Sequence, residues 1–303
     1  MCSCCHPAVS ALFCLWVRSG FNKQSVAGAL TFFPPEPSFY KFKRTTPDGK
    51  AIEDENVSDE KSTRSLGESS TFDDDNSIAT TDDDMSQRSR GSSSNNINER
   101  ARQSRKRAKR RKKRDKRDAA LGVKYTLELD PRLRSPLEFS GNIESLKIYN
   151  AKSKSYLAVV VYRQEQKGCK TILYSHGNAT DIGAMSMMQS ILAKNLNVNV
   201  VVYDYSGYGE SGGMPLEKNT YYDIQTVYQY CVENLAEGKP ENLIIYGESV
   251  GSGPSCYLCS KKPAGGLVLH CPFTSGMRVL TSSRALACLD IFPNIDRIKK
   301  VKC

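Results

Sequence analysis

Leu243-Ile244-Ile245-Tyr246-Gly247-Glu248-Ser249-Val250-Gly251 is the stretch on which the reading of this chain turns. An apolar run of strand length leads into Gly-Glu-Ser-Val-Gly, and small residues suited to opening a helix follow. A G-x-S-x-G turn between a strand and a helix is the setting in which a serine is presented as a nucleophile. The turn strains the backbone at Ser249, and side chains at 247 and 251 would collide with neighbouring elements. Ser249 Oγ then stands at the carboxyl end of a sheet, above a helix N-terminus that stabilises negative charge. The bland alternative is a structural turn that happens to fit the pattern.

Working outward, strands and helices alternate. Ile143–Tyr149 and Tyr156–Arg163 read as an antiparallel start, and Thr171–Tyr174, Val198–Tyr203, Leu243–Tyr246 and Leu267–Leu269 as further strands. Between them, Ile182–Lys194, Leu216–Leu235 and Val250–Ser260 read as helices. The alternation predicts an α/β domain with a mostly parallel sheet and helices on both faces. In such a domain the loop Tyr174–Asp181 supplies one backbone N–H of an oxyanion hole, near Asn178, and Val250 supplies the other. His176 precedes Ser249, whereas the expected order is serine, acid, histidine, so it reads as a loop-shaping residue. Gly209-Glu210-Ser211-Gly212-Gly213 also fits G-x-S-x-G, but Gly212, Gly213 and Pro215 cannot open a helix directly, which makes Ser211 a rim-loop residue. Cys256-Tyr257-Leu258-Cys259 has redox spacing but falls inside a helix, where burial is the simpler reading. A serine needs an adjacent base. Of His6, His176 and His270 only His270 follows Ser249, and Asp290 and Asp296 come after it, so no triad Asp or His is assigned within the chain.

The charge of +10 over 303 residues is local. Residues 100–117 hold 13 Lys/Arg against one Asp, and residues 53–84 hold 12 Asp/Glu against two basic residues. Three regions follow: a Cys-rich N-terminal anchor segment, 1–44; a charged insertion, 45–118, too poor in apolar residues to order itself; and a folded domain, 119–303. No apolar run is long enough to span a bilayer. Cys2, Cys4, Cys5 and Cys14 sit in apolar, aromatic sequence, which suits S-acylation at a membrane surface. Zinc binding with His6 is the competing reading, but the adjacent Cys4 and Cys5 cannot easily share one tetrahedral ion. The basic tract 100–117 fits an anionic membrane surface, a nuclear address or a solvated charge run. The absence of interleaved aromatics speaks against nucleic acid. No cofactor or metal is assigned, and the oligomeric state is left open.

Together, Phe33-Pro34-Pro35-Glu36-Pro37, Ser175-His176-Gly177-Asn178, Tyr203–Gly209, Tyr246–Gly251, His270–Arg278 and Phe292–Asp296 resemble the alpha/beta-hydrolase domain-containing proteins of subfamily 17, which are membrane-anchored palmitoyl-protein thioesterases. The resemblance implies an alpha/beta-hydrolase fold and removal of palmitate from cysteines of S-acylated membrane proteins. It implies Ser249 as nucleophile and the N-terminal cysteines as a palmitoylated anchor at the cytoplasmic face of plasma membrane or endosomes. It further implies that the catalytic Asp and His would lie beyond Cys303, so that the sheet lacks its last strands, Leu267–Leu269 is an edge and activity is impaired. A catalytically inactive, membrane-tethered binding or decoy protein is the second reading, and a nuclear location a minor one.

Overall fold

The computed structural model describes residues 31–53, 92–133, 139–280 and 290–303. Its strands are β1 (Tyr40–Thr45), β2 (Ala51–Ile52), β3 (Lys124–Leu129), β4 (Asn142–Asn150), β5 (Ser155–Arg163), β6 (Thr171–Ser175), β7 (Asn199–Tyr203), β8 (Leu243–Glu248) and β9 (Gly266–His270). The helices are α1 (Ser92–Ala120), α2 (Ile182–Leu196), α3 (Glu217–Asn234), α4 (Ser252–Cys259), α5 (Gly276–Leu280) and α6 (Asn294–Arg297). The strands form one sheet in the order β2-β1-β3-β4-β5-β7-β6-β8-β9. The block β7-β6-β8-β9 is parallel and carries the candidate site; β2 through β5 extend it antiparallel, and β5 joins the two parts by pairing antiparallel with β7. This is an alpha/beta-hydrolase fold, and β9 is the edge of the described sheet.

The central strands are apolar at nearly every position because both their faces are covered. In β5, Leu157, Val159 and Val161 face one core, and Ala158, Val160 and Tyr162 face the other. Val201 and Tyr203 of β7 join the first core, Val200 and Val202 the second. Helices α3 and α4 close the first layer through Ile224, Val227, Cys231 and Leu258, and α2 closes the second through Ile182 and Ala193. Asp181 caps α2 by accepting from Ala184 N–H at 3.0 Å. Its second oxygen accepts from Ser38 Oγ (2.7 Å) and Phe39 N (2.8 Å), which ties the N-terminal strand to the helix start.

The division at residues 44 and 118 is corrected by the structure. Phe32 is buried in the first core, and β1 is a sheet strand whose Tyr40 and Phe42 belong to the second. The segment read as a disordered insertion contributes the end of β1, β2 and the long helix α1; the acidic tract beyond Glu53 lies outside the described residues. Helix α1 escapes a hydropathy reading because charge pairs, not an apolar stripe, hold it. Its inward residues include Asp115 and Asp118, both 1% exposed. Asp115 meets Lys147 Nζ at 3.2 Å, and Asp118 accepts from Arg44 Nη1 at 3.2 Å. Arg114 Nη2 donates to Glu210 at 2.5 Å, Arg107 pairs with Glu36 at 2.7 Å, and Arg111 donates to the carbonyls of Gly209 and Ser211.

This cluster makes the docking of α1 pH-dependent. Burial pushes the Glu210 carboxyl up, but Arg111, Arg114 and Lys147 outweigh it and hold the group down at about 2. A carboxylate with a lowered folded pKa stabilises above its unfolded value, and that contribution disappears as pH falls through the folded one. Glu210 therefore stabilises fully at neutral pH and loses its contribution between about 4.5 and about 2. Glu210→Gln is expected to cost about 3 kcal/mol at pH 7, since it leaves Asp115 as the one carboxylate facing buried Lys147 and half-buried Arg114 among the described residues. Thermal melts of both proteins from neutral to acidic pH check this: the gap should be constant down to about pH 5 and close below it. A gap already closing near pH 6 contradicts it.

Candidate functional site

Strand β8 ends at Glu248, and the chain turns through Ser249–Gly251 into α4. Ser249 has φ +48°, a left-handed conformation that costs a residue with a Cβ about 1–2 kcal/mol. The surroundings enforce it. A Cβ at Gly247 would lie 2.6 Å from Gly251 O, and one at Gly251 would lie 2.0 Å from Ser175 O. Both positions thus require glycine for close backbone approach, as the sequence pattern predicts. Ser252 Oγ donates to Ser249 O at 2.6 Å and locks the turn.

Facing Ser249 is the loop that follows β6. A Cβ placed on Gly177 would be 3.9 Å from Ser249 Cβ, so this loop lies against the elbow. Asn178 fixes it through both the oxygen and the nitrogen of its side-chain amide. Its Oδ1 accepts from Phe33 N (3.0 Å), Ala179 N (3.0 Å) and Tyr208 Oη (2.8 Å), and its Nδ2 donates to Thr31 O (2.6 Å). The side chain of Asn178 thus serves the structure of its own loop. The backbone N–H groups of Asn178 and Val250 are engaged by no turn bond among the described residues. The apolar segment before Pro34 packs on this loop: the Phe32 ring meets Tyr208 and Phe292 edge-on, while Phe33 stays 54% exposed.

His176 is fully buried. Its Nδ1 bonds Gly177 O at 2.8 Å, its Nε2 lies 3.3 Å from Asp204 Oδ1, and its carbonyl accepts from Tyr205 Oη at 2.6 Å. These contacts fit the loop-shaping reading. Ser211 is buried as well; its Oγ donates to Asp204 O (2.7 Å) and accepts from Ala158 N (2.8 Å). Cys256 and Cys259 are buried, and burial pushes their thiols up to about 11 and about 12, the reverse of a redox pair. Cys2, Cys4, Cys5 and Cys14 lie outside the described residues. Among the described residues no side chain hydrogen-bonds Ser249 Oγ, and His270 is an exposed residue at the end of β9.

Two features carry no signal in the linear sequence. Tyr174 Oη donates to Glu248 at 2.6 Å, beside the elbow, and burial with the Glu248 carboxylate pushes that hydroxyl well up. Asp204 is the second. It is buried, accepts from Tyr40 Oη (2.6 Å) and Ile182 N (3.0 Å), and joins three segments remote in sequence. Asp223 of α3 supports the same region by accepting from Ser206 N and Asn150 Nδ2, both at 2.7 Å; burial lifts it to about 7.

A family model described as "Serine aminopeptidase, S33" matches residues 166–294. Over 132 residues the chain is 46% identical to alpha/beta hydrolase domain-containing protein 17B of Homo sapiens, covering 43% of this chain and 46% of that protein. It is 39% identical over 163 residues to alpha/beta hydrolase domain-containing protein aho-3 of Caenorhabditis elegans, covering 54% and 49%. The chain spans about half the length of these curated relatives. An alpha-beta hydrolase crystal structure from Vibrio vulnificus overlays with a TM-score of 0.43 at 20% identity, covering 53% of this chain and 60% of that one.

Proposed function

We propose, for a chain that has the alpha/beta-hydrolase fold and is a relative of the alpha/beta hydrolase domain-containing 17 proteins, that it is a serine hydrolase of the palmitoyl-protein thioesterase type. Its nucleophile is Ser249 and its substrates are S-acylated membrane proteins. The observation that carries the reading is the strained Ser249, held by two obligatory glycines against the Asn178 loop. Ser249 Oγ adds to the thioester carbonyl carbon, and the oxyanion forms between the N–H groups of Val250 and Asn178. The C–S bond then breaks: the acyl group stays on Ser249 and the substrate cysteine leaves as a thiol. Water attacks the acyl-serine, releases the fatty acid and returns the proton to Ser249. No step requires a cofactor or metal. The chain's own place is at the membrane: no described helix is long and apolar enough to cross a bilayer, and S-acylation of Cys2, Cys4, Cys5 and Cys14 supplies the attachment.

A second reading, a catalytically inactive membrane-tethered binding or decoy protein, is favoured by the lack of a described base at Ser249 Oγ. Fluorophosphonate labelling and hydrolysis of an S-palmitoyl peptide separate the two. The hydrolase reading expects both in the wild type, and at least a 100-fold loss in Ser249→Ala, a floor well below the roughly million-fold that removing an activated nucleophile costs. Wild-type signals no higher than those of Ser249→Ala select the binding reading.

A further inference from the structure

Helix α1 sorts its charges by face. At 100° per residue the groups that dock it, Ser104, Arg107, Arg111, Arg114, Asp115 and Asp118, fall on one side. Arg105, Lys106, Lys109, Lys112, Lys113 and Lys116 fall on the other, within an arc of about 120° and over a length of about 17 Å. All six are exposed. Both acids of residues 102–118 point inward, so the outward arc carries one sign of charge and no apolar residue. A charge run that is merely solvated has no reason to separate its two acids from its cations in this way.

The position of that face matters as much as its composition. Arg111 grips the carbonyls of Gly209 and Ser211, and Tyr208, just before Gly209, reaches the Asn178 loop through its Oη. Arg107 pairs with Glu36, just past the exposed Phe33. Helix α1 is therefore fixed to the segments that hold the Asn178 loop, and its basic face turns outward from them.

We propose that the outward face of α1 is a docking surface for anionic phospholipid, which sets the Ser249 site against a bilayer. The choice of lipid follows from the chemistry of the arc. It offers point charges and no aromatic ring or amide to stack on or read a base, which suits the phosphates of an anionic bilayer surface. The orientation of the site toward acyl groups rests on the thioesterase reading; the docking surface itself does not.

The test uses the full chain without acylation, sedimented with phosphatidylcholine vesicles with and without phosphatidylserine at physiological salt. A variant carrying Arg105→Gln, Lys109→Gln, Lys112→Gln and Lys116→Gln removes charge from the outward face and touches no docking contact. Binding is expected only to the phosphatidylserine vesicles, falling on the order of 100-fold or more in the variant at an unchanged melting temperature. No binding to the anionic vesicles, equal binding by the variant, or tighter binding to duplex DNA than to vesicles at the same salt overturns the proposal. Because neither readout uses catalysis, an inactive Ser249 leaves this result unaffected.

Discussion

Gly251→Ala is expected to abolish the folded state. The added Cβ would sit 2.0 Å from Ser175 O and 2.6 Å from Ser175 C, both backbone atoms of a central strand. No rotamer relieves a clash with backbone. The elbow would have to move away from β6, which parts the sheet where β6 and β8 pair from Thr171↔Leu243 to Ser175↔Gly247. Separating those strands exposes both cores, so the cost should exceed about 4 kcal/mol, a large part of the stability of an ordinary domain. Gly266→Ala is the control: it lies on β9 with no atom within 4 Å of the added carbon, and it should be neutral within about 0.5 kcal/mol. Soluble yield and thermal unfolding decide. A Gly251→Ala protein that melts close to wild type would mean that the elbow is slack and that the strain at Ser249 is not enforced.

The same steric argument explains what was legible in the sequence. Gly247 and Gly251 announce the elbow because close approach leaves glycine as the only residue that fits, and a two-sided core announces β5 and β7 because every residue from Leu157 to Tyr162 is buried. The missed elements fail for the opposite reason. Strand β1 alternates Tyr40 and Phe42 with exposed Lys41 and Lys43, but only its pairing with β3, more than eighty residues on, shows which face is buried. Helix α1 buries Asp115 and Asp118 against cations from other elements, so no apolar period marks it. The one linear hint is that Asp115 in the tract and Asp118 just past it stand three residues apart, on one side of a helix. At the site, Ser249, Val250 and the Asn178 loop follow from local pattern. The anchoring of that loop by Thr31, Phe33 and Tyr208 depends on segments that meet only in the fold.

Asp204 is the clearest such meeting point, and Asp204→Ala is expected to be the most damaging change to a side chain near the site. The carboxylate is buried and serves Tyr40 Oη of β1 and the N–H of Ile182 at the start of α2, and it stands 3.3 Å from His176 Nε2. Truncation strands a tyrosine hydroxyl and a backbone donor in a dry interior and leaves the imidazole without its neighbour. Such losses in one network cost about 3–5 kcal/mol. The effect should reach the chemistry, because the loop bearing His176 also bears Asn178 and lies against the elbow at Gly177. At temperatures where the variant remains folded, fluorophosphonate labelling of Ser249 should slow by about tenfold, the loss of a well-placed oxyanion donor being larger still. Asp204→Asn separates shape from charge. It refills the space but presents an amide N–H to one of two donors, so it should retain more stability than the alanine variant and still label slowly. If Asp204→Ala melts within a few degrees of wild type and labels at the wild-type rate, the carboxylate holds neither β1 nor the loop. The position of Asn178 would then rest on the Phe33 and Tyr208 contacts alone.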